Sequence, residues 1–197
     1  MFNQIRKEAV WTAHQLYSDH LAGGSSGNIS FRLEDKIFIS KSGTIFGRIT
    51  EEDFIPINMN GTVLGDGIPS KEYPLHLALY RCQPETAAVI HTHSFYTTLW
   101  SCLRGSAASE GFPHYTPYLS MQFRNIIRIP YAPPGSSELF SAFSQRTRPS
   151  ADGYLLENHG AVVSGSTLLK AYSKIHELET SAKLAWFLQN TSAVSLD

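Results

Sequence analysis

Residues 87–94 read AAVIHTHS and residues 153–163 read GYLLENHGAVV, and the expected fold turns on these two stretches. The first is an apolar run of strand length, Ala87–Thr92, ending in two histidines one residue apart. Period-two geometry places the His91 and His93 side chains on one face of that strand, close enough to grip a single ion. Alone, such a pair reads more simply as two histidines making ordinary hydrogen bonds at a strand end. The second stretch reads as two strands, Gly153–Leu156 and Ala161–Val163, joined through Glu157-Asn158-His159-Gly160. His159 in that tight turn changes the reading, because a neighbouring strand end can set its ring beside the first pair. Three neutral imidazoles leave one coordination position open, as catalytic zinc sites do.

Outward from these strands, Ile5, Ala9, Ala13, Leu16 and His20 recur at helical steps, which predicts an amphipathic helix over 3–21 ending at Gly23-Gly24. Short β-like runs follow at Asn28–Arg32 and Lys36–Ser40, with a further strand at Thr62–Leu64 after the Asn60-Gly61 turn. Ser70 is expected to cap a helix running to about Cys82, with Pro74 tolerated in its first turn. Helices are also expected at 94–102, 136–145 and 167–189, a strand at Ile126–Ile129, and a loop-rich stretch over 105–120. No repeat or linker interrupts the chain, so residues 1–197 read as one domain. The elements alternate without a strict βαβ rhythm, which favours a mixed sheet covered by helices.

Composition excludes several classes of function. The formal net charge is −1 and no block of like charges occurs, so no basic stripe is present to meet a nucleic acid backbone. Arg32, Lys41, Arg48 and Lys71 remain as local cations for a small anion. The N-terminus carries charges throughout rather than an apolar leader, and no run approaches the ~18 apolar residues of a membrane span. Cys82 and Cys102 fall within apolar helical patterns and read as buried free thiols of a reducing compartment. A cytoplasmic location is therefore expected, with neither membrane nor nucleic acid as partner.

Two Gly/Ser segments, Gly24-Ser25-Ser26-Gly27-Asn28 and Ser40-Lys41-Ser42-Gly43, can offer backbone N–H groups and hydroxyls to a phosphate, although each alone is an ordinary turn. Ser70, at a helix N-terminus, offers a third donor. Gly65-x-Gly67 lacks the third glycine of a dinucleotide motif, and neither a Walker lysine nor a G-x-S-x-G elbow occurs. Glu72 sits in the first helical turn, where partial positive charge favours a carboxylate. His76, four residues on, shares its face and reads either as support for the site or as a satisfied core histidine. His14, His20, His114 and His176 read as surface or core residues.

The segments GGSSGNIS, ISKSG, PSKEYPLHLALYR, VIHTHS and LLENHGAVVSG, in that order, are a specific set. With them the chain resembles the class II aldolase and L-ribulose-phosphate 4-epimerase family over about residues 20–188. The resemblance implies a three-layer α/β/α fold with a central mixed, largely antiparallel sheet. It implies one zinc ion, or another divalent cation, per subunit on His91, His93 and His159, with Glu72 as the catalytic carboxylate. Gly27, Asn28, Ser42, Gly43 and Ser70 match the pocket for a substrate phosphate. Lys71 beside them adds positive charge for that phosphate or for a departing carboxylate. Tyr118, in HYTPYLSM, matches a tyrosine that reaches a neighbouring subunit's site as proton donor in a four-fold tetramer.

Two departures direct the expectation further. Many sugar-phosphate aldolases of the family carry Ser-Ser where this chain has Ser70-Lys71, and no aromatic residue follows Phe187 to close the site. PSKE, with FPHYTPY and IPYAPPGS, is most similar to the branch of 3-oxo-tetronate 4-phosphate decarboxylases. That branch implies cleavage of a phosphorylated 3-oxo sugar acid, through an enediolate, to dihydroxyacetone phosphate and CO2. Alternatives are a fuculose-phosphate-type aldolase, an epimerase (which usually has aspartate in place of Glu72) and a non-catalytic scaffold like the adducin head, whose relatives have lost the histidines.

Overall fold

A computed structural model describes residues 2–103 and 113–196. Its centre is a seven-stranded sheet in the order β3-β2-β1-β4-β7-β6-β5. In chain order the strands are β1 (Asn28–Leu33), β2 (Lys36–Ser40), β3 (Phe54–Asn58), β4 (Ala88–Thr92), β5 (Ile126–Ile129), β6 (Gly153–Leu156) and β7 (Gly160–Gly165). Every pairing is antiparallel except β5 with β6. Alternate residues serve opposite faces. Ile29, Phe31, Phe38, Ala88, Ile90, Ala161 and Val163 pack beneath α1 (Phe2–Ser18), α3 (Phe95–Ser101) and the long α6 (Leu168–Leu188). Ile37, Ile39, Ile57, Val89, Tyr154, Leu156 and Val162 pack against α2 (Tyr73–Cys82) and α5 (Ser137–Arg146). The result is the three-layer α/β/α arrangement, with a sheet buried on both faces.

Four local expectations need correction. Phe54–Asn58 is a strand that the sequence reading omits; β3 lies at the sheet edge, where the missing N–H of Pro56 is tolerated. Thr62–Leu64 is not a strand: only Val63 bridges back, to Ile57. Ser70 does not cap α2. Pro69 bridges Lys41, and the Ser70 N–H donates to the Ser40 carbonyl. This keeps the segment extended, so the helix starts at Tyr73 with Glu72 as its N-cap residue. The thiols are free but not buried, because Cys82 is half-buried and Cys102 is exposed at the end of α3. The 105–120 stretch lies partly outside the described residues, and its end begins a short helix, α4 (Tyr118–Gln122).

One ion pair fastens α6 to the sheet. Lys174 Nζ donates to Asp152 Oδ2 at 2.6 Å and to the Ser164 carbonyl at 2.9 Å, and both charged residues are buried. Removing one member of such a pair strands the other's charge, at about 3–5 kcal/mol. Asp152→Ala is therefore expected to lower unfolding stability by about 3 kcal/mol, on the same scale. Urea denaturation followed by circular dichroism checks this.

Candidate active site

β4 carries His91 on its α2-side face, opposite Asn28 of β1 and Val162 of β7 in the register. His93 follows just beyond the strand. His159 comes from the turn between β6 and β7, where Asn158 adopts a left-handed φ of 53°. That turn is held from outside. Arg128 of β5 donates to Glu157 Oε1 at 3.0 Å and to the Ser101 and Leu103 carbonyls at 2.7 Å. The Asn158 N–H donates to Ser101 O at 3.3 Å. On the other side of His93, Glu179 of α6 accepts the Tyr96 and Thr97 N–H groups and the Thr97 hydroxyl, each at 2.8 Å. A carboxylate there satisfies first-turn amides of α3 and anchors the chain leaving His93.

Two glycines allow the loops to close on this strand. Gly27 has φ 84°, and a Cβ there would lie 2.7 Å from the His91 carbonyl oxygen. At Gly160 a Cβ would collide with the Thr92 carbonyl and stand 3.0 Å from His93 Cδ2. Any other residue would push one loop off the histidines.

The three imidazoles converge. Ring centroids are 4.7 Å apart for His91 and His93, 4.9 Å for His91 and His159, and 4.8 Å for His93 and His159. Glu72 completes the group: one ligand-type atom from each of the four residues lies within 4.8 Å of the others. Glu72 Oε2 is 3.2 Å from His91 Nε2, and Oε1 is 3.5 Å from His159 Nε2. His91 Nδ1 donates to the Ala161 carbonyl at 2.8 Å, which turns Nε2 toward the cluster. His93 and His91 face each other through Nε2 atoms 2.9 Å apart.

Protonation states suit a cation. Burial pushes the Glu72 carboxyl up, but its hydrogen bond to His91 and the charge of the surrounding imidazoles outweigh this and hold it at about 2. Burial, then the neighbouring His91, lowers His93 to about 3 and His159 to about 4. Glu72 thus offers an anion, and His93 and His159 offer neutral nitrogen donors, as divalent ions require. Glu72 Oε1 and both ring nitrogens of His159 are buried without a hydrogen-bond partner. Orphaned polar atoms that converge in this way fit a metal ion.

Above the cluster opens a cleft of about 170 Å³, lined by Ser25, Ser26, Gly27, Asn28, Lys41, Ser42, Gly43, Ser70, Lys71, Glu72, His93, Pro134 and His159. All six residues expected to hold a phosphate meet here, next to the histidines. Their donors differ from expectation in one respect. The Ser42 and Ser70 N–H groups are committed to the carbonyls of Ile68 and Ser40, so these residues offer hydroxyls instead. Tyr118 is exposed at the start of α4 and does not line its own chain's cleft. His76 is wholly buried and bonded to Asn28 and Ser30, so it both supports the site and is satisfied in the core. Pro134, Glu157, Arg128 and Glu179 were not singled out by the sequence; only the IPYAPPGS segment pointed near Pro134.

Comparison with known proteins agrees with this geometry. A 3-oxo-tetronate 4-phosphate decarboxylase of Haemophilus influenzae is 40% identical over 181 residues, covering 91% of this chain and 86% of that protein. An L-fuculose phosphate aldolase of Methanococcus vannielii is 35% identical, covering 90% and 93%. The crystal structure of Klebsiella pneumoniae YgbL, described as a candidate aldolase/epimerase/decarboxylase, superposes with a TM-score of 0.93 at 32% identity, covering 99% and 94%. Residues 7–186 match the family described as Class II Aldolase and Adducin N-terminal domain. With that match over nearly the whole chain, and with the histidines converged beneath the cleft, the chain belongs to the class II aldolase and adducin N-terminal domain family.

Proposed function

We propose that this chain is a metal-dependent carbon–carbon lyase that decarboxylates a 3-oxo-tetronate 4-phosphate to dihydroxyacetone phosphate and CO2. The observation that carries the reading is the meeting of His91, His93, His159 and Glu72 at the floor of a cleft rimmed by the anion-binding segments. The Haemophilus influenzae decarboxylase, at 40% identity against 35% for the Methanococcus vannielii aldolase, supports this reaction over aldol cleavage. The intact triad speaks against a non-catalytic scaffold. His91, His93 and His159 would hold one divalent cation, zinc by the chemistry of the donors. Bound there, the cation supplies Lewis-acid stabilisation to negative charge developing on the substrate oxygens.

The chain's own groups do the rest. Ser42, Ser70 and Lys71 hold the phosphate end, with Gly27, Asn28 and Gly43 shaping the wall. A cleft of about 170 Å³ suits a four-carbon phosphate. Drug-sized ligands fill sites of roughly 300–1,000 Å³. Decarboxylation breaks the bond between the carboxyl carbon and C2, and the electron pair delocalises into the C3 carbonyl. C2 must then gain a proton, which comes ultimately from water. Glu72, ionised at rest, takes a proton from the substrate hydroxyl or from water and delivers it to C2. Lys71 sets positive charge at the rim of the cleft, on the phosphate side. Tyr118, exposed here, fits a proton donor lent to a neighbouring subunit of a homotetramer. No helix among the described residues is long and apolar enough to cross a membrane, and the reading places the enzyme in the cytoplasm.

The test offers purified protein a 3-oxo-tetronate 4-phosphate and, separately, L-fuculose 1-phosphate. CO2 release from the first is expected at a kcat/KM at least about tenfold above cleavage of the second, a gap of about 1.4 kcal/mol. Faster aldehyde release from the fuculose phosphate would select the aldolase reading instead.

A further inference from the structure

Behind Glu72 runs a line of buried polar side chains that the reaction above does not use. Tyr80 Oη lies 2.8 Å from Ser30 Oγ, and Ser30 Oγ lies 2.7 Å from His76 Nδ1. His76 Nε2 lies 2.5 Å from Asn28 Oδ1, and Asn28 Nδ2 lies 3.4 Å from Glu72 Oε2. All five residues are buried. Their spacing explains the interlock. Asn28 and Ser30 are two apart on one face of β1, while Glu72, His76 and Tyr80 fall at four-residue steps along and just before α2.

Each bond has one permitted direction. A carboxylate only accepts, so Asn28 turns its NH2 to Glu72 and its carbonyl oxygen to His76. That oxygen needs a donor, so His76 carries its proton on Nε2. Complete burial, with a smaller push from His91, lowers His76 to about 3, so the ring is neutral and Nδ1 is an acceptor. Ser30 therefore donates its hydroxyl to Nδ1 and accepts from the Tyr80 phenol. Every donor in the line points toward Glu72. Were the ring to carry its proton on Nδ1, the Asn28 amide would have to flip and set an oxygen against the carboxylate.

We propose that His76 is a positioning residue: locked by Ser30 and Tyr80 with its proton on Nε2, it fixes the Asn28 amide so that the NH2 faces Glu72 and the cleft. The kinetic part rests on the reading of Glu72 as the proton carrier. The bond directions do not.

The test has two arms. In the metal-loaded wild-type protein with 15N-labelled histidine, long-range 15N–1H spectra should show His76 neutral with the proton on Nε2. A proton on Nδ1 would overturn the proposal whatever the activity. In the second arm, Ser30→Ala should keep its metal content and its melting temperature within a few degrees. Its kcat should fall about tenfold, with KM changed less than threefold. His76→Leu should lose more, and His76→Gln, which restores an N–H donor, should recover at least tenfold over it. Equal kcat for Leu and Gln, or an unchanged kcat in Ser30→Ala, would reduce His76 to a packing role. If no substrate of the proposed class is turned over while the Nε2 proton is observed, the reaction assignment fails and the bond directions stand.

Discussion

His93→Ala is expected to lose its bound metal and, with it, nearly all turnover. Of the three histidines, His93 is the least buried, lining the cleft beside the buried His159, so its loss disturbs the core least. His91, by contrast, is wholly buried and donates to the Ala161 carbonyl, so its removal would leave a cavity and an orphaned carbonyl as well. Two imidazoles and a carboxylate remain in the variant, and a site one ligand short releases its ion under dialysis. Lewis-acid stabilisation is worth several kcal/mol, so kcat should fall by about 10³-fold or more. Metal analysis after dialysis, beside the circular dichroism spectrum, checks this. A variant that keeps one equivalent of metal and most of its activity would remove His93 from the ligand set. Chelation of the wild-type protein should reproduce the loss, and a divalent cation added back should reverse it.

Glu72→Gln is expected to separate metal from chemistry. Glutamine has nearly the same volume, and its amide can keep the bond to Asn28 by turning its oxygen that way. The three histidines are untouched, so the metal should stay. What disappears is the ability to take up and release a proton. General acid–base groups contribute about 10²–10⁴-fold, so kcat should fall by about 10³-fold with KM little changed. Steady-state kinetics on metal-replete protein read this directly. Full activity in the glutamine variant would hand the proton step to another group.

Much of the site was legible before the fold because its ligands sit where simple periods apply. The two-residue repeat of β4, carried one residue past its end, sets His93 beside His91, and the turn between β6 and β7 presents His159. Gly27 also read correctly as a loop point beside a strand, while Gly160, read as a turn residue, is the first residue of β7. What the sequence hid is of another kind. β3 went unread, and it tolerates Pro56 through its edge position, which is a property of the sheet and not of the segment. The start of α2 was misplaced because Ser70 answers to Ser40, thirty residues back, rather than to its own helix. The same bond, with that from Ser42 to Ile68, commits two of the amides expected to bind phosphate. Arg128, Glu157 and Glu179 look like ordinary surface charges in the sequence. Their work in holding the His159 turn and the start of α3 depends on partners 25 to 83 residues away.

The two glycine contacts also bear on how such a scaffold can diversify. With Gly27 against the His91 carbonyl and Gly160 against that of Thr92, the backbone around the ligand strand has no slack for a side chain on either flank. The placement of the histidine cluster is thereby insulated from changes elsewhere in the cleft. On the proposed reading, selectivity for one small phosphate over another would be tuned at the solvent-facing edge, at positions such as Ser42, Lys71 and Pro134.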